Sequence, residues 1–337
     1  MICFKIGRGI KMKGHILQLL ENAEDYISGE KMSQQLGVSR TAVWKTIKQL
    51  KEEGYEIHSS TNKGYRLLHS PDRVTPEEIQ KYILTSYIGK RLIYEEEMDS
   101  TNVQAKKIAR EGAEEGTVVL TEQQFKGKGR MGRKWDSPKG TGIWLSCILR
   151  PSIPPSEVSF ITLLAGLAVC KAIEIETRLL PKIKWPNDVV LGGKKVCGIL
   201  TEMNGEMEQV YHVVVGIGIN VNTKDFPIEL HSLATSLYLE SGEKYSRKKL
   251  VGQIFTQLEK YYESFKEEEG RKRILEEYKK CCATLGQEVR VLGSQEEFTG
   301  KALDLLPTGE LIVQKNTGEM KTVRSGEVSV RGVYGYC

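Results

Sequence analysis

Residues 124–135, QFKGKGRMGRKW, set three glycines (Gly127, Gly129, Gly132) among five cations (Lys126, Lys128, Arg130, Arg133, Lys134). Glycine lets backbone N–H groups turn inward toward an anion, and guanidinium forks match phosphate oxygens in pairs. The segment reads as a cradle for a phosphorylated or otherwise anionic ligand. A flexible basic surface loop is the plainer alternative. Neither the G-x-x-x-x-G-K-[ST] nor the G-x-G-x-x-G pattern is present. Further along, Lys184-Trp185-Pro186-Asn187-Asp188 ends a short strand in a turn, and Lys195 opens another strand. Gly216-Ile217-Gly218-Ile219-Asn220 then interrupts an apolar strand with two glycines, a pattern that marks close approach of a ligand or another backbone. Taken singly, Lys195 reads as a solvated lysine and the paired glycines are a weak signal.

These residues need elements to hold them. Asp99-Ser100-Thr101-Asn102 offers caps for an amphipathic helix over 103–111. Residues 117–122 and 143–149 are β-branched and apolar and predict strands on either side of the glycine/cation loop. Residues 158–176 predict a buried helix. Short strands are expected at 183–185, 189–191, 196–201 and 213–215, the middle two joined by Gly192-Gly193. Amphipathic helices at 246–265 and 271–281 precede a run of short strands from Gln287, with turns at Pro307-Thr308-Gly309 and Asn316-Thr317-Gly318.

The N-terminal fifth differs. Residues 1–69 carry 11 Lys or Arg against 7 Asp or Glu, so +4 of the chain's net +5 lies there. Ser28 can cap a short helix with Met32 and Leu36 on one face, Gly37 breaks it, and Ser39 can cap a second with Val43, Ile47 and Leu50 as its apolar stripe. Opposite that stripe lie Arg40, Thr41, Trp44, Lys45 and Lys48. Two strands at 55–60 and 65–68 flank a turn at 61–64 containing Lys63. With Ile16, Leu17, Leu19 and Leu20 supplying a first helix, this is a winged helix-turn-helix. DNA is its expected partner, through Ser39, Arg40, Thr41, Trp44, Lys45, Lys48 and Lys63, as a two-fold dimer on a palindromic site. Packing against a protein is the alternative. Pro71 and Pro76 then mark a boundary.

Composition narrows the class. Hydrophobic residues at 39% supply a real core, which excludes a disordered chain or a collagen-like fibre. The longest apolar stretch, 160–170, is about half the ~20 residues of a bilayer crossing, so no membrane is expected. The basic first residues lack the apolar core of a signal peptide, and Met12 is an alternative start that would leave 1–11 as an unstructured extension. Seven cysteines (Cys3, Cys147, Cys170, Cys197, Cys281, Cys282, Cys337) with no C-x-x-C spacing suggest neither disulfides nor a zinc site, and a reducing cytoplasm.

Ser100-Thr101-Asn102, GKGRMGRKW (127–135), KWPND (184–188), KKVCGIL (194–200) and GIGIN (216–220), in this order and spacing, resemble the biotin–protein ligases. With the winged helix and the C-terminal segment, the resemblance spans almost the whole chain. It points to the bifunctional class that doubles as the biotin operon repressor. The fold it implies is an α+β multidomain chain: a winged helix-turn-helix at 1–70, a linker at 71–90, a mixed α/β catalytic domain of class II synthetase type at 91–284, and an SH3-like β-barrel at 285–337. The last is either a passive cap or a participant in catalysis. The activity implied is formation of biotinyl-5′-AMP from biotin and ATP, with Mg²⁺ on the phosphates, then transfer of biotin to one lysine of the carrier domain of acetyl-CoA carboxylase.

By the same resemblance, biotin would contact Ser100, Thr101, Asn102, Gln124, Lys128, Gly129, Arg130 and Lys195. The adenylate would lie near Arg133, Trp135, Lys184, Asn187, Asp188 and Asn220. Arg130, Lys195 and Asp188 are the expected catalytic groups, Asp188 either as a metal contact or as an aid to deprotonating the incoming lysine; no metal is expected to be held by the protein alone. Lys195 thereby becomes a cation for the biotin carboxylate. Lys128 stands where the family usually has arginine, keeping charge but not the planar fork. A homodimer formed with biotinyl-adenylate would bind the operator of the biotin genes. The competing readings are a DNA-binding biotin sensor without turnover, and a lipoate-type acyl ligase.

Overall fold

The computed structural model describes residues 8–293, 297–325 and 328–332, and the chain divides into two compact units after Asp72. Cys3, Cys337 and residues 1–7 lie outside the described residues.

The first unit holds helices α1 (Arg8–Glu21), α2 (Gly29–Leu36) and α3 (Arg40–Glu52) and a hairpin of β1 (Glu56–Ser60) and β2 (Gly64–His69). Its caps are those the residue types demand: Ser28 Oγ accepts the Lys31 N–H and Ser39 Oγ the Ala42 N–H, each at 3.1 Å. Helix α1 begins at Arg8, so residues 8–11 are helical rather than an unstructured extension. Ile16, Leu17, Leu20, Met32, Val43, Ile47 and Leu50 form a core of their own. Ile27 and Tyr65 exchange backbone hydrogen bonds at 2.9 Å, which pins the hairpin to the helices. The approach requires glycine at 64, whose φ is +105° and whose added Cβ would sit 2.2 Å from the Ile27 carbonyl oxygen.

The second unit runs α4 (Pro76–Ile79), β3 (Leu92–Met98), α5 (Thr101–Arg110), β4 (Val118–Gln124), β5 (Gly142–Leu149), α6 (Val158–Thr177), β6 (Lys182–Lys184), β7 (Asp188–Leu191), β8 (Lys194–Gly205), β9 (Val210–Asn220), α7 (Leu237–Ser241), α8 (Arg247–Phe265) and α9 (Glu268–Cys281). Its seven strands are ordered β3-β4-β5-β9-β8-β7-β6, antiparallel except for β3–β4, which α5 connects as a parallel pair. A smaller antiparallel sheet, β10 (Glu288–Gly293), β11 (Glu297–Leu305), β12 (Leu311–Lys315), β13 (Met320–Val323) and β14 (Val328–Gly332), is ordered β13-β12-β11-β10-β14.

Strand alternation sorts the large sheet's two faces. Val119, Ile148 and Val214 pack beneath α5, while their neighbours Val118, Cys147 and Val213 join the main core with α6 and α8. Helix α6 is long and apolar enough to cross a bilayer, a length the apolar run alone did not suggest. Here it is a core helix, with Phe160 to Cys170 buried without interruption. The expected linker at 71–90 is also corrected. Val74, Ile79, Ile83 and Ile88 are buried in the main core, and Glu122 accepts the Val74 N–H at 2.8 Å. Val289, Ala302, Leu311 and Val313 of the small sheet belong to that same core.

Candidate active site

Beyond the N-terminal end of α5, the α5 face of the large sheet loses its apolar side chains. Ser146, Gly216, Gly218 and Gly198 stand there, with Ser146 paired to Gly216 and Gly218 to Gly198 across neighbouring strands. The glycines are cleared for specific neighbours. A Cβ on Gly216 would fall 2.0 Å from Asn102 Oδ1, and one on Gly218 2.5 Å from Trp135 Nε1.

Into this hollow α5 directs its first residues. Ser100 occupies the N-cap and is 4% exposed. The Thr101 N–H donates to Gln124 Oε1 at 2.9 Å, and the Gln124 amide donates to Ser137 Oγ at 2.8 Å. Asn102 donates to the Leu200 carbonyl and to Glu202, and Ser146 Oγ lies 2.5 Å from Asn102 Oδ1 and 2.8 Å from Thr101 Oγ1.

The glycine/cation loop closes over the hollow. Bridges pair Gln124 with Ser137 and Lys128 with Lys134, the Gly129 N–H reaches the Arg133 carbonyl at 2.8 Å, and Met131 turns the tip in the left-handed region at φ 55°. Lys128, Arg133 and Lys134 are exposed, whereas Arg130 turns inward. Arg130 Nη1 donates to Asn187 Oδ1 at 2.7 Å, and Nη2 donates to the Ser325 carbonyl in the C-terminal sheet. Burial pulls the Arg130 guanidinium pKa down, and the Asp188 charge opposes that. Trp135 lies over Gly198 and Gly218, with Lys195 Nζ 5.1 Å from its ring. Its Nε1 is buried with no hydrogen-bond partner among the described residues, a donor open to a ligand.

KWPND runs from the last residue of β6 through a cis Trp185–Pro186 turn to the first residue of β7. Trp185 Nε1 donates to the Gly309 carbonyl at 3.0 Å, a second tie to the C-terminal sheet. The Asn187 amide donates to the Ile199 carbonyl at 3.1 Å and to Asp188 at 3.0 Å. Lys195 Nζ meets Asp188 Oδ1 at 2.6 Å, so it is not the solvated lysine its isolated context suggested. Asn220 is buried and donates to the Thr235 carbonyl.

Two adjoining cavities result. The smaller, of about 40 Å³, is lined by Ser100, Thr101, Asn102, Gln124, Lys128, Leu145, Leu200 and the three sheet glycines. The larger, of about 610 Å³, is lined by Arg133, Lys184, Trp185, Asp188, Asn220, Phe226 and Leu230 among others. Gly129, Arg130, Trp135, Asn187 and Lys195 line both. The residues expected around the ligase chemistry therefore converge. Ser146, Glu202, Gly198 and Ser325 were missed; for Gly198 the signal was present, a glycine inside an apolar strand. No cluster of three or more His, Cys, Asp or Glu suited to a metal occurs among the described residues. Cys147, Cys170 and Cys197 are free and buried, with burial pushing their thiols up, which leaves them inert.

In the first unit the expected DNA face is likewise presented. Ser39 caps α3; Arg40, Thr41, Trp44, Lys45 and Lys48 are exposed along it; and Lys63 is exposed in the hairpin turn.

Comparison with known proteins bears on each part. Residues 94–220 match the biotin/lipoate A/B protein ligase family, residues 13–66 an HTH domain, and residues 284–331 the biotin protein ligase C-terminal domain. The chain is 40% identical over 322 residues to the bifunctional ligase/repressor BirA of Bacillus spizizenii, covering 95% of this chain and 98% of that one. It is 29% identical over 321 residues to the BirA of Escherichia coli, covering 94% and 96%. Among solved structures, the biotin protein ligase from Aquifex aeolicus in complex with biotin and ATP is similar at a TM-score of 0.63 and 33% identity, covering 72% of this chain and 99% of that one. The chain belongs to the family of bifunctional biotin–protein ligase/repressors.

Proposed function

We propose that the protein joins biotin to ATP, passes the biotinyl group to a lysine of a biotin carboxyl carrier domain, and represses biotin genes when the adenylate is bound. The observation that carries the ligase reading is the shared wall of the two cavities. A carboxylate in the smaller and an α-phosphate in the larger would meet beside Arg130, Asn187 and Lys195.

In the first step a biotin carboxylate oxygen attacks the α-phosphorus, the bond to the β-phosphate oxygen breaks, and pyrophosphate leaves. Two anions approach, so fixed cations are worth most there; Arg130 and Lys195 are already held by Asn187 and Asp188 and need little rearrangement. Thr101, Asn102 and Gln124 orient the ring end of biotin, with Ser100 beside them, while Lys128 and Gly129 border its carboxylate. Trp135, Lys184, Asn220 and the exposed Arg133 serve the nucleotide. Mg²⁺, when bound, would neutralise phosphate charge in this step, with Asp188 either contacting it or serving the second step. In the second step the carrier lysine's amine attacks the acyl carbon, the acyl–phosphate bond breaks and AMP leaves; in the second of its two roles Asp188 takes the amine's proton.

Repression follows by linkage: the adenylate favours a homodimer, and two α3 helices presented together bind a palindromic operator more tightly than one. Demand for biotin transfer consumes the adenylate and relieves repression.

The test is pyrophosphate release from ATP with biotin, with and without an apo-carrier domain, followed by mass spectrometry of the carrier. Biotin-dependent release and a gain of one biotin on one lysine are expected. Tight biotin binding without release would make the protein a sensor, and release only with lipoate would make it a lipoate ligase.

A further inference from the structure

Besides Lys195, strand β8 carries a second ionised side chain near the smaller cavity, Glu202, and nothing in the two-step reaction uses it. Its two oxygens are divided: Oε1 takes the Lys106 ammonium at 2.5 Å and Oε2 takes the Asn102 amide at 3.0 Å. The Lys106 and Asn102 hydrogen bonds pull its carboxyl below the usual range against the effect of burial. An ionised carboxylate can only accept hydrogen bonds, and so can the Leu200 carbonyl, 3.2 Å from the same Asn102 nitrogen. Together they consume both amide hydrogens and force Asn102 Oδ1 toward Ser146.

The consequence propagates. Ser146 has one hydroxyl hydrogen, and Asn102 Oδ1 at 2.5 Å claims it. Ser146 Oγ must then accept from Thr101, 2.8 Å away, a closer partner than the 3.2 Å Gln124 oxygen. Thr101, which lines the cavity, thus has its hydrogen turned away from the ligand and a lone pair left toward it.

We infer that Glu202 is a positioning residue that sets the direction of every hydrogen in the chain Asn102–Ser146–Thr101, so that the cavity accepts a ligand N–H and rejects an isosteric ring oxygen. The inference rests on the biotin reading above and deepens it: the substrate class selected is a cyclic urea. In Glu202→Gln, the donor-only Lys106 keeps the amide oxygen, so the new NH₂ faces Asn102 and opposes its present orientation. Ser146 can then donate to Thr101, whose own hydrogen is held only by the 3.2 Å Gln124 oxygen and can turn toward the ligand.

The experiment measures equilibrium binding of biotin and of its cyclic carbamate isosteres, with ring oxygen replacing either ureido N–H, to the full chain and to the Glu202→Gln and Ser146→Ala variants, each first checked for a cooperative thermal transition. The full chain should prefer biotin. Either variant should cut the biotin-to-carbamate ratio for one isostere by about tenfold, the loss of one oriented hydrogen bond. A purely structural role would weaken both ligands by the same factor; an unchanged ratio in the folded variants overturns the inference while leaving the ligase reading intact. Failure of the full chain itself to bind biotin would overturn the ligase reading, and this inference with it.

Discussion

Asp188 Oδ1 accepts from both the Lys195 ammonium and the Asn187 amide, which makes its substitution informative. Asp188→Asn keeps the shape and removes the proton acceptor. Transfer to the carrier lysine should fall on the order of 100-fold, with pyrophosphate release in the absence of carrier largely retained. Loss of the first step instead would assign Asp188 to the metal. At this scale the sequence was legible where a site residue lies in a contiguous motif: the cations and glycines of 124–135, KWPND, and Lys195 only through the resemblance of KKVCGIL. It was not legible where the chemistry is a partnership across the fold. Asn102 and Glu202 are 100 residues apart, and Ser146 and Asn102 are 44 apart. A serine or glutamate in a strand carries no mark of a distant partner. The family arginine's replacement by Lys128 leaves a cation that is exposed beside a backbone bridge to Lys134.

Among the elements, α8 is fastened to β4 by a buried ion pair: Arg247 Nη1 meets Glu122 Oε2 at 2.7 Å and the Gly142 carbonyl at 3.1 Å. Arg247→Met would leave the Glu122 carboxylate buried without its cation, a loss of about 3 kcal/mol, read as a lower midpoint in denaturant. On β9, His212 is 3% exposed and its Nε2 has no hydrogen-bond partner among the described residues. Burial first, then the Arg150 and Arg110 charges, hold its pKa below the usual 6.5. The unfolded chain takes up a proton that the folded one resists. This contribution is therefore complete above about pH 6.5 and is lost as pH falls from there through the folded value. Wild type should lose more thermal stability than His212→Gln between about pH 7.5 and about pH 5.5. On α3, Lys45→Ala should weaken DNA binding alike on all sequences and reduce the salt slope by about 1. Periodicity made the helices readable, since α3, α6 and α8 each carry an apolar pattern and a clear end. Strand β3 was not foreseen, because its LIYEEEM run reads as a charged segment. The stretch after Asp72 reads as a linker in the sequence because its buried residues are too few and too irregular to show a period.

For the molecule as a whole, the two cores decide what can be separated. The first unit's core draws only on residues up to 67, and the main core runs from Val74 to Val330. Residues 73–337 expressed alone should keep biotin-dependent pyrophosphate release within about twofold and lose operator binding, as measured by gel shift. Had release required the head, the division after Asp72 would not be a functional one. The C-terminal sheet stands differently, because Gly309 holds Trp185 and Ser325 holds Arg130. Its strands were readable from their turns; that the turn carbonyls of Gly309 and Ser325 would reach Trp185 and Arg130 was not. The first unit and the C-terminal sheet are therefore constrained unequally in evolution. Where residues 73–337 act alone, recombination is expected to exchange one DNA-reading first unit for another and rewire which genes respond to vitamin supply, with the chemistry untouched. A foreign tail, however well folded, would arrive without the two carbonyls in register, so tail and catalytic loop are expected to be inherited as one block.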